Sequence, residues 1–224
     1  MVDKTDSQFR IRTHTLLTEG NPIWQDDKKF IIAFNTIEEK TIVSPHRCYT
    51  LYQIAQHANA INGSFAQVGI YKGGSAKLIS VIKNPKKSFY LFDTFKGLPK
   101  HDPKIDIYTE GKFADTSFEE VRELFDGDHN VHIHKGIFPT TAFNIPKDER
   151  FAFVYLDVDL YKSNLEALEF FYSRMNTGGV IIFDDYDFDN CPGIKKSVYN
   201  FLQKSKASEK PIITTKFQAM LIKA

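Results

Sequence analysis

Acidic side chains follow two apolar runs in the second half of the chain. Asp157 and Asp159 end the run FAFVYLDVD. Asp184 and Asp185 end the run GGVIIFDD. If these runs are neighbouring parallel strands, their ends lie about 5 Å apart and the four carboxylates converge. Unpaired carboxylates at that range repel one another, and a hard divalent cation such as Mg²⁺ relieves the repulsion. The pattern favours a metal site; the alternative is that the acids face solvent or cap the following helices.

A glycine-rich turn, GIYKGGS at residues 69–75, follows an apolar run and precedes a helical pattern. Glycines allow a tight turn and a close approach of the backbone to a ligand, and a helix N-terminus presents free N–H groups to an anion. The spacing is neither that of a dinucleotide-binding turn nor that of a phosphate loop. A ligand-binding turn and an ordinary strand-to-helix turn both remain open.

Asp93 ends the next apolar run, SFYLFD, more than 20 residues after the first glycine. In an α/β sheet an acid at this place can accept hydrogen bonds from both hydroxyls of a ribose. The alternative is an N-cap or a turn that Asp favours in any case. A glycine turn, a ribose-binding acid and a metal-binding acid cluster together suit S-adenosylmethionine.

These side chains need a sheet to bring them together, and the chain provides the pattern for one. Short apolar runs alternate with amphipathic stretches, which indicates a doubly wound, mostly parallel α/β sheet. The predicted strands lie at 64–70, 88–93, 130–136, 151–159 and 178–185, with two more in an antiparallel edge hairpin at 211–223. Residues 25–60 have helical spacing. We therefore predict one globular unit, with a helical cap over 1–60 and a seven-stranded cofactor-binding domain over 61–224.

The bulk composition excludes several classes of protein. The 29 basic and 28 acidic residues leave a formal charge of +1, and the densest basic stretch, 83–87, reads as a solvated turn, so no nucleic-acid partner is expected. The two cysteines show no metal-ligand spacing. The polar start, whose first ten or so residues are predicted to be disordered, and the absence of a long apolar run favour a cytoplasmic protein without a membrane partner.

Several strings of the sequence resemble the macrocin O-methyltransferase family in collinear order over roughly residues 30–205. They are FAQVGIYKGGSA, LFDTFKGLP, YLDVDLYKSNLEALEFF and GGVIIFDDYDFDNCPGIKKSV. Upstream, NTIEEKTIVSPHRCYTLYQIA is similar to that family's cofactor-covering helical segment. The spacing of the glycine turn is also similar to that of catechol O-methyltransferases. The resemblance implies a class I methyltransferase fold and Mg²⁺-dependent O-methylation of a small-molecule acceptor, typically a sugar hydroxyl on a natural product.

The resemblance also implies roles for individual residues. It places the cofactor against Thr41, Gln67, Gly69, Tyr71, Gly73, Gly74, Ser75, Asp93, Gly136, Phe138 and Asp157, with Asp93 on the ribose and Gly136 and Phe138 near the adenine. It assigns a Mg²⁺ or other divalent cation to Asp157, Asp184 and Asp185. It makes Asp159 the general base, with Lys162 as the reserve candidate. It further implies association into a homodimer or a higher homo-oligomer through the N-terminal region.

Gln67 departs from the family pattern, which usually has Glu two residues before the first glycine. An amide still accepts a hydrogen bond from the methionyl ammonium of the cofactor, but the attraction between charges is lost. Two alternatives therefore remain beside the methyltransferase. DVDLY also fits the DxD motif of metal-dependent glycosyltransferases, and the exchange at position 67 is compatible with a non-catalytic protein of the methyltransferase fold.

Overall fold

A computed structural model describes residues 22–224, so the predicted disordered start and the first part of the predicted cap lie outside the described residues. The helices of the described chain are α1 (Lys28–Asn35), α2 (Pro45–Ala58), α3 (Gly74–Ile82), α4 (Phe118–Glu123), α5 (Tyr161–Tyr172) and α6 (Pro192–Ser205). Short 3₁₀ segments occupy Ile23–Asp26, Glu38–Lys40 and Thr140–Asn144. The strands are β1 (Ser64–Val68), β2 (Phe89–Asp93), β3 (Val131–Lys135), β4 (Phe151–Leu156), β5 (Met175–Asp184), β6 (Ile212–Thr215) and β7 (Gln218–Ile222).

Within residues 22–224 the strands form one seven-stranded sheet in the order β3-β2-β1-β4-β5-β7-β6. Strands β1 to β5 are parallel, and the closing hairpin adds β7 antiparallel to β5, with β6 at the edge. The predicted doubly wound sheet and its antiparallel hairpin are confirmed. The strand order reverses between β1 and β4, and ligands of such sheets bind at the carboxyl ends of the strands beside that reversal.

Both faces of the sheet are covered. Helices α5 and α6 pack on one face, and α2, α3 and α4 pack on the other. All residues of β1 and β4 are buried as a consequence, which explains why these strands read as continuous apolar runs and not as alternating ones. The exceptions are the two buried polar residues of β1, Ser64 and Gln67, of which Gln67 is fully buried.

The N-terminal helices α1 and α2 pack against the rest of the protein. Asp27 caps α1 by accepting hydrogen bonds from the backbone N–H groups of Lys29 and Phe30, both at 3.0 Å. Ser44 caps α2, and Pro45 occupies its first turn, where a missing N–H costs nothing. α1 then packs against α2 and α3 through a third apolar cluster that includes Phe30. The start of α2 is fixed by its cap, and with it the direction of the side chains in its first turn.

The long segment between β2 and α4 has turns but no regular helix or strand. It is nevertheless tied to the body. Leu98 exchanges backbone hydrogen bonds with Gly111 and Lys112, each at 2.9 Å. The buried Asp106 accepts a 2.9 Å hydrogen bond from the backbone N–H of Tyr161 and so caps α5. Among the described residues, no helix combines the length and the apolar character needed to cross a membrane.

Candidate active site

A cavity opens at the carboxyl edge of the sheet, where β1, β2, β4 and β5 end. Most of the predicted site residues line it: Thr41, Gly69, Tyr71, Ser75, Asp93, Gly136, Phe138, Asp157, Asp159, Asp184 and Asp185. The glycine turn, the predicted ribose acid and the acid cluster therefore share one cleft. Gln67, Gly73, Gly74 and Lys162 are not among the described residues that line it.

The strand-end acids converge as their positions predicted. Asp157, Asp184 and Asp185 each offer an oxygen, and these atoms lie within 4.8 Å of one another. A second group of the same size joins Asp159 and Asp185 to the thiol of Cys191. The first group consists only of hard oxygen donors, which is the donor set that Mg²⁺ prefers.

The expectation that these acids are unpaired is wrong for Asp184 and Asp185, because Arg47 reaches both from the first turn of α2. Its Nη1 lies 2.5 Å from Asp184 Oδ2 and 3.0 Å from Asp185 Oδ1. Sequence reasoning missed Arg47, which stands 137 positions before Asp184. The helix start at Ser44-Pro45 was the available signal, but it does not disclose which side chain faces the sheet edge.

Burial and mutual repulsion change the acidity of the cluster. Burial, followed by the charges of Asp184 and Asp185, raises the pKa of Asp157 well above its ordinary value. Burial and the neighbouring Asp185 raise the pKa of Asp159 to about 8. Burial raises the pKa of Asp184 to about 7 although the Arg47 guanidinium acts in the opposite direction. Carboxyl groups with a pKa of about 7 to 8, such as Asp184 and Asp159, are partly ionised near neutral pH, which suits a general base.

Glycines of the turn at 69–75 allow neighbouring segments to pack closely, and part of the turn also lines the cavity. Gly69 has φ +80°, and a Cβ there would lie 1.8 Å from the carbonyl oxygen of Asp157. Gly74 faces the 3₁₀ segment before α2, and its Cβ would lie 2.6 Å from the carbonyl oxygen of Lys40. The first glycine therefore lets β1 end directly against β4. Gly74 lets the chain before α2 lie over α3, which places Thr41 on the cavity wall.

Asp93 holds the glycine turn. Its Oδ2 accepts hydrogen bonds from the backbone N–H groups of Ile70 and Tyr71 at 2.8 and 2.9 Å. Its Oδ1 accepts one from Phe95 at 2.7 Å, which is the turn that Asp favours locally. Oδ2 thus uses both of its acceptor sites, whereas Oδ1 keeps one, and Asp93 lines the cavity. The ribose contact stays a prediction beside this structural role.

Gln67 lies beneath the glycine turn. Its Nε2 donates to the carbonyl oxygen of Gly69 and to Ser75 Oγ, both at 2.8 Å. Its Oε1 is buried and has no hydrogen-bond partner among the described residues. A carboxylate could not donate to the Gly69 carbonyl, so the amide gives the turn a contact that Glu would lack. The unpartnered oxygen leaves one acceptor next to Ser75, which does line the cavity.

Lys162 lies on the exposed side of α5. Its side chain is 73% exposed, and its Nζ is 3.7 Å from Glu166 Oε1, one helical turn away. The structure therefore does not bring the reserve catalytic candidate to the cavity.

Comparison with known proteins agrees with this geometry. The family model described as Macrocin-O-methyltransferase (TylF) matches residues 37–221, which is most of the chain. The chain belongs to this family.

Two curated relatives show the degree of similarity to known proteins. The chain is 28% identical over 149 residues to the 8-demethyl-8-(2,3-dimethoxy-alpha-L-rhamnosyl)-tetracenomycin-C 4'-O-methyltransferase of Streptomyces olivaceus, covering 60% of this chain and 57% of that protein. It is 28% identical over 161 residues to the demethyldecarbamoylnovobiocin O-methyltransferase of Streptomyces niveus, covering 65% and 60%. The matched region thus spans less than two thirds of either relative's length.

Among solved structures, the O-methyltransferase NovP superposes with a TM-score of 0.73 at 24% identity, covering 83% of this chain and 82% of NovP. At that identity the likeness establishes the fold alone. It agrees with the sheet order described above for this macrocin-O-methyltransferase family member.

Proposed function

We propose that this protein is an S-adenosylmethionine-dependent O-methyltransferase that acts on a hydroxyl of a sugar or a glycosylated natural product and uses a divalent cation. The observation that carries the proposal is the shared cavity, onto which the glycine turn, Asp93 and the strand-end acids all open. Membership of the macrocin-O-methyltransferase family supports the same activity.

The cofactor would lie along the ends of β1 and β2. Gly69, Tyr71 and Ser75 would border its methionine portion, Asp93 would accept hydrogen bonds from the ribose, and the Gly136–Phe138 turn would lie near the adenine. S-adenosylmethionine supplies an electrophilic methyl group carried on a sulfonium. The unpartnered Gln67 Oε1 beside Ser75 is compatible with a hydrogen-bond donor at that end of the cavity. Thr41, which lies against Gly74 and lines the cavity, would contact the bound cofactor. A cap formed by residues 1–60 over a domain of residues 61–224 is part of this proposal.

The divalent cation would be held by Asp157, Asp184 and Asp185, whose oxygens already lie within 4.8 Å of one another. A bound Mg²⁺ lowers the pKa of an acceptor hydroxyl and orients its oxygen. The protein's own part is to supply three carboxylates on strand ends, where the sheet fixes their separation.

Asp159 would take the proton from the acceptor hydroxyl. It lines the cavity, and burial together with Asp185 raises its pKa to about 8. A base with a pKa near the working pH combines a useful ionised fraction with a strong pull on the proton. Cys191 Sγ lies 3.6 Å from Asp159 Oδ1 and fixes one side of the carboxylate.

The acceptor would enter beside the acids. Tyr108, Phe113 and Phe188 line this part of the cavity, and rings of this kind offer flat apolar surface to a sugar or an aryl group. The Streptomyces olivaceus relative is named for methylation of a rhamnosyl group. A deoxysugar on a natural product is therefore the first acceptor class to test.

The test is calorimetric titration with S-adenosylhomocysteine, followed by an assay with methyl-labelled S-adenosylmethionine, Mg²⁺ and a panel of rhamnosylated natural products. We expect binding of the cofactor product and transfer of the label to a sugar hydroxyl. Binding of UDP in place of S-adenosylhomocysteine would instead support the DxD glycosyltransferase. Binding of neither would support the non-catalytic alternative. Light scattering on the same sample measures the homo-oligomer that the family resemblance implies.

A further inference from the structure

Arg47 occupies the edge of the acid cluster in a geometry that a bound cation would disturb. Its guanidinium bridges two different carboxylates through one nitrogen, with Nη1 at 2.5 Å from Asp184 Oδ2 and 3.0 Å from Asp185 Oδ1. Only 17% of the Arg47 side chain is exposed, and 2% of that of Asp184. This is an enclosed ion pair, not a surface contact, so solvent screens it little.

Asp184 has no unused oxygen in this arrangement. Gln218, buried on β7, donates from its Nε2 to Asp184 Oδ1 at 3.1 Å. Arg47 takes the other oxygen, Oδ2. Each oxygen keeps a second acceptor site, so what opposes a cation here is the charge of Arg47: a divalent cation bound at Asp184 Oδ2 would meet that positive charge at hydrogen-bond distance from its own ligands.

We infer that Arg47 is a built-in counter-ion of the acid cluster, which a divalent cation displaces when it binds Asp184 and Asp185. The inference rests on the proposed cation site. Without a bound metal, the guanidinium neutralises part of the carboxylate charge. A divalent cation carries twice that charge and can bind more of the carboxylate oxygens, so it replaces the guanidinium. Arg47 is then a positioning residue that sets the metal affinity and makes no contact with the reacting atoms.

Displacement would reach the cofactor side of the cavity. Arg47 lies in the first turn of α2, immediately after the segment that contributes Lys40, Thr41, Ile42 and Val43 to the cavity wall. Release of the ion pair removes the contact that fastens this turn to the end of β5. Cation binding is thereby linked to the position of the wall that would cover the cofactor.

The chain carries a natural reporter of this change. Trp24 is the single tryptophan of the protein, and its ring packs edge-on against His46 at 5.7 Å between centroids. His46 is adjacent to Arg47 in the first turn of α2. A shift of that turn changes the surroundings of the indole, so tryptophan emission can follow Mg²⁺ binding without any turnover.

The experiment measures Mn²⁺ affinity by electron paramagnetic resonance and Trp24 emission during a Mg²⁺ titration, on the full chain without substrate. We expect Arg47→Met to bind Mn²⁺ about tenfold more tightly than the wild type, because a competing unit charge is removed. Arg47→Lys should fall between them, since it keeps the competing unit charge but carries it on a more flexible side chain with a compact ammonium that is more strongly hydrated. Mg²⁺ should change Trp24 emission in the wild type and not in Arg47→Met.

Lys195→Met is the matched control. It removes the same charge near the cluster, from an exposed pair with Asp187 at 2.8 Å, without touching a cluster carboxylate. Its Mn²⁺ affinity should stay within about twofold of the wild type, since the side chains of Lys195 and Asp187 are 51% and 65% exposed and salt screens such exposed charges. Equal or weaker Mn²⁺ binding by Arg47→Met, or an unchanged wild-type emission with Mg²⁺ bound, overturns the inference and leaves the proposed function standing. If Arg47→Met does not fold, the Arg47→Lys affinity and the wild-type emission decide. Absence of Mn²⁺ binding in every variant overturns both the inference and the cation part of the proposed function.

Discussion

Two acidic residues of the candidate active site have a left-handed backbone conformation. Asp159 has φ +59° and Asp185 has φ +52°. Asp and Asn tolerate this conformation better than other residues with a Cβ, whereas Ala would add strain. An Asp-to-Asn exchange therefore removes the charge and keeps the backbone, which makes it the appropriate probe of either acid.

For Asp159→Asn we expect kcat to fall by about 10²- to 10⁴-fold, the usual contribution of a general base, with little change in the free energy of unfolding. The control is Asp187→Asn. Asp187 also has a left-handed backbone, φ +65°, but its side chain is 65% exposed. Steady-state kinetics with labelled S-adenosylmethionine compares the two variants. A similar kcat for Asp159→Asn and the wild type would remove Asp159 from the proton-transfer step.

Alanine substitutions at Gly69 and Gly127 can distinguish the cost of a steric conflict from the cost of backbone strain. Both have left-handed backbone, at φ +80° and +85°. A Cβ at Gly69 would overlap the carbonyl oxygen of Asp157, whereas a Cβ at Gly127 has nothing within 4 Å. We expect Gly127→Ala to cost about 1–2 kcal/mol in urea unfolding, as strain alone does, and Gly69→Ala to cost more or to prevent folding. If both substitutions lowered the free energy of unfolding equally, β1 would be able to move away from β4 without loss of stability.

At the scale of elements, Glu209 joins the loop after α6 to the end of the chain and to α5. It accepts hydrogen bonds from Lys223 Nζ at 2.8 Å and from Tyr172 Oη at 2.8 Å. Burial alone would raise the pKa of Glu209, but these donors outweigh it and lower the pKa to about 2. Because the folded pKa lies below the unfolded value of about 4.5, the ionised Glu209 stabilises the fold above pH 4.5. That contribution is lost as the pH falls towards 2.

For Glu209→Gln we therefore expect a loss of about 1–3 kcal/mol in the free energy of unfolding at pH 7 and a smaller loss at pH 3. Urea denaturation at the two pH values measures the difference. Glu166→Gln is the control, since Glu166 forms an exposed i,i+4 pair with Lys162 that contributes less than about 0.5 kcal/mol. A loss for Glu209→Gln that does not change with pH would show that the charge of Glu209 is not what stabilises the network.

At the scale of the whole molecule, the two halves of the cavity should respond differently to chelation. The proposed cation ligands lie at the ends of β4 and β5, and the proposed cofactor contacts lie mainly at the ends of β1 and β2. We expect EDTA to abolish methyl transfer and Mg²⁺ to restore it, while calorimetry shows S-adenosylhomocysteine still bound. The variant Asp184→Asn should behave like the chelated enzyme at any Mg²⁺ concentration. Full activity after chelation would show that the cation has no part in the reaction.

Most elements, and the sheet edge that carries the candidate active site, could be predicted from the residue pattern alone. Strand and helix periods are local properties, so five apolar runs and the tail hairpin could be recognised directly, and strand-end residues such as Asp93 and Asp157 follow their strands by covalent connection. Element ends were less certain. The strand expected from Gly178 begins at Met175, because residue types at element ends are compatible with either state.

Contacts between side chains that are far apart in the chain became visible only in the folded structure. The interpretation of the basic stretch 83–87 as a solvated turn is wrong in part. Lys83 is buried, and Lys87 Nζ donates to the carbonyl oxygen of Gly63 at 2.9 Å. The ion pair of Arg47 with Asp184 and the exclusion of Lys162 from the cavity were equally hidden. Such contacts depend on how a helix is rotated against the sheet, which is set by the packing of its whole apolar face and not by the residues next to it in the chain.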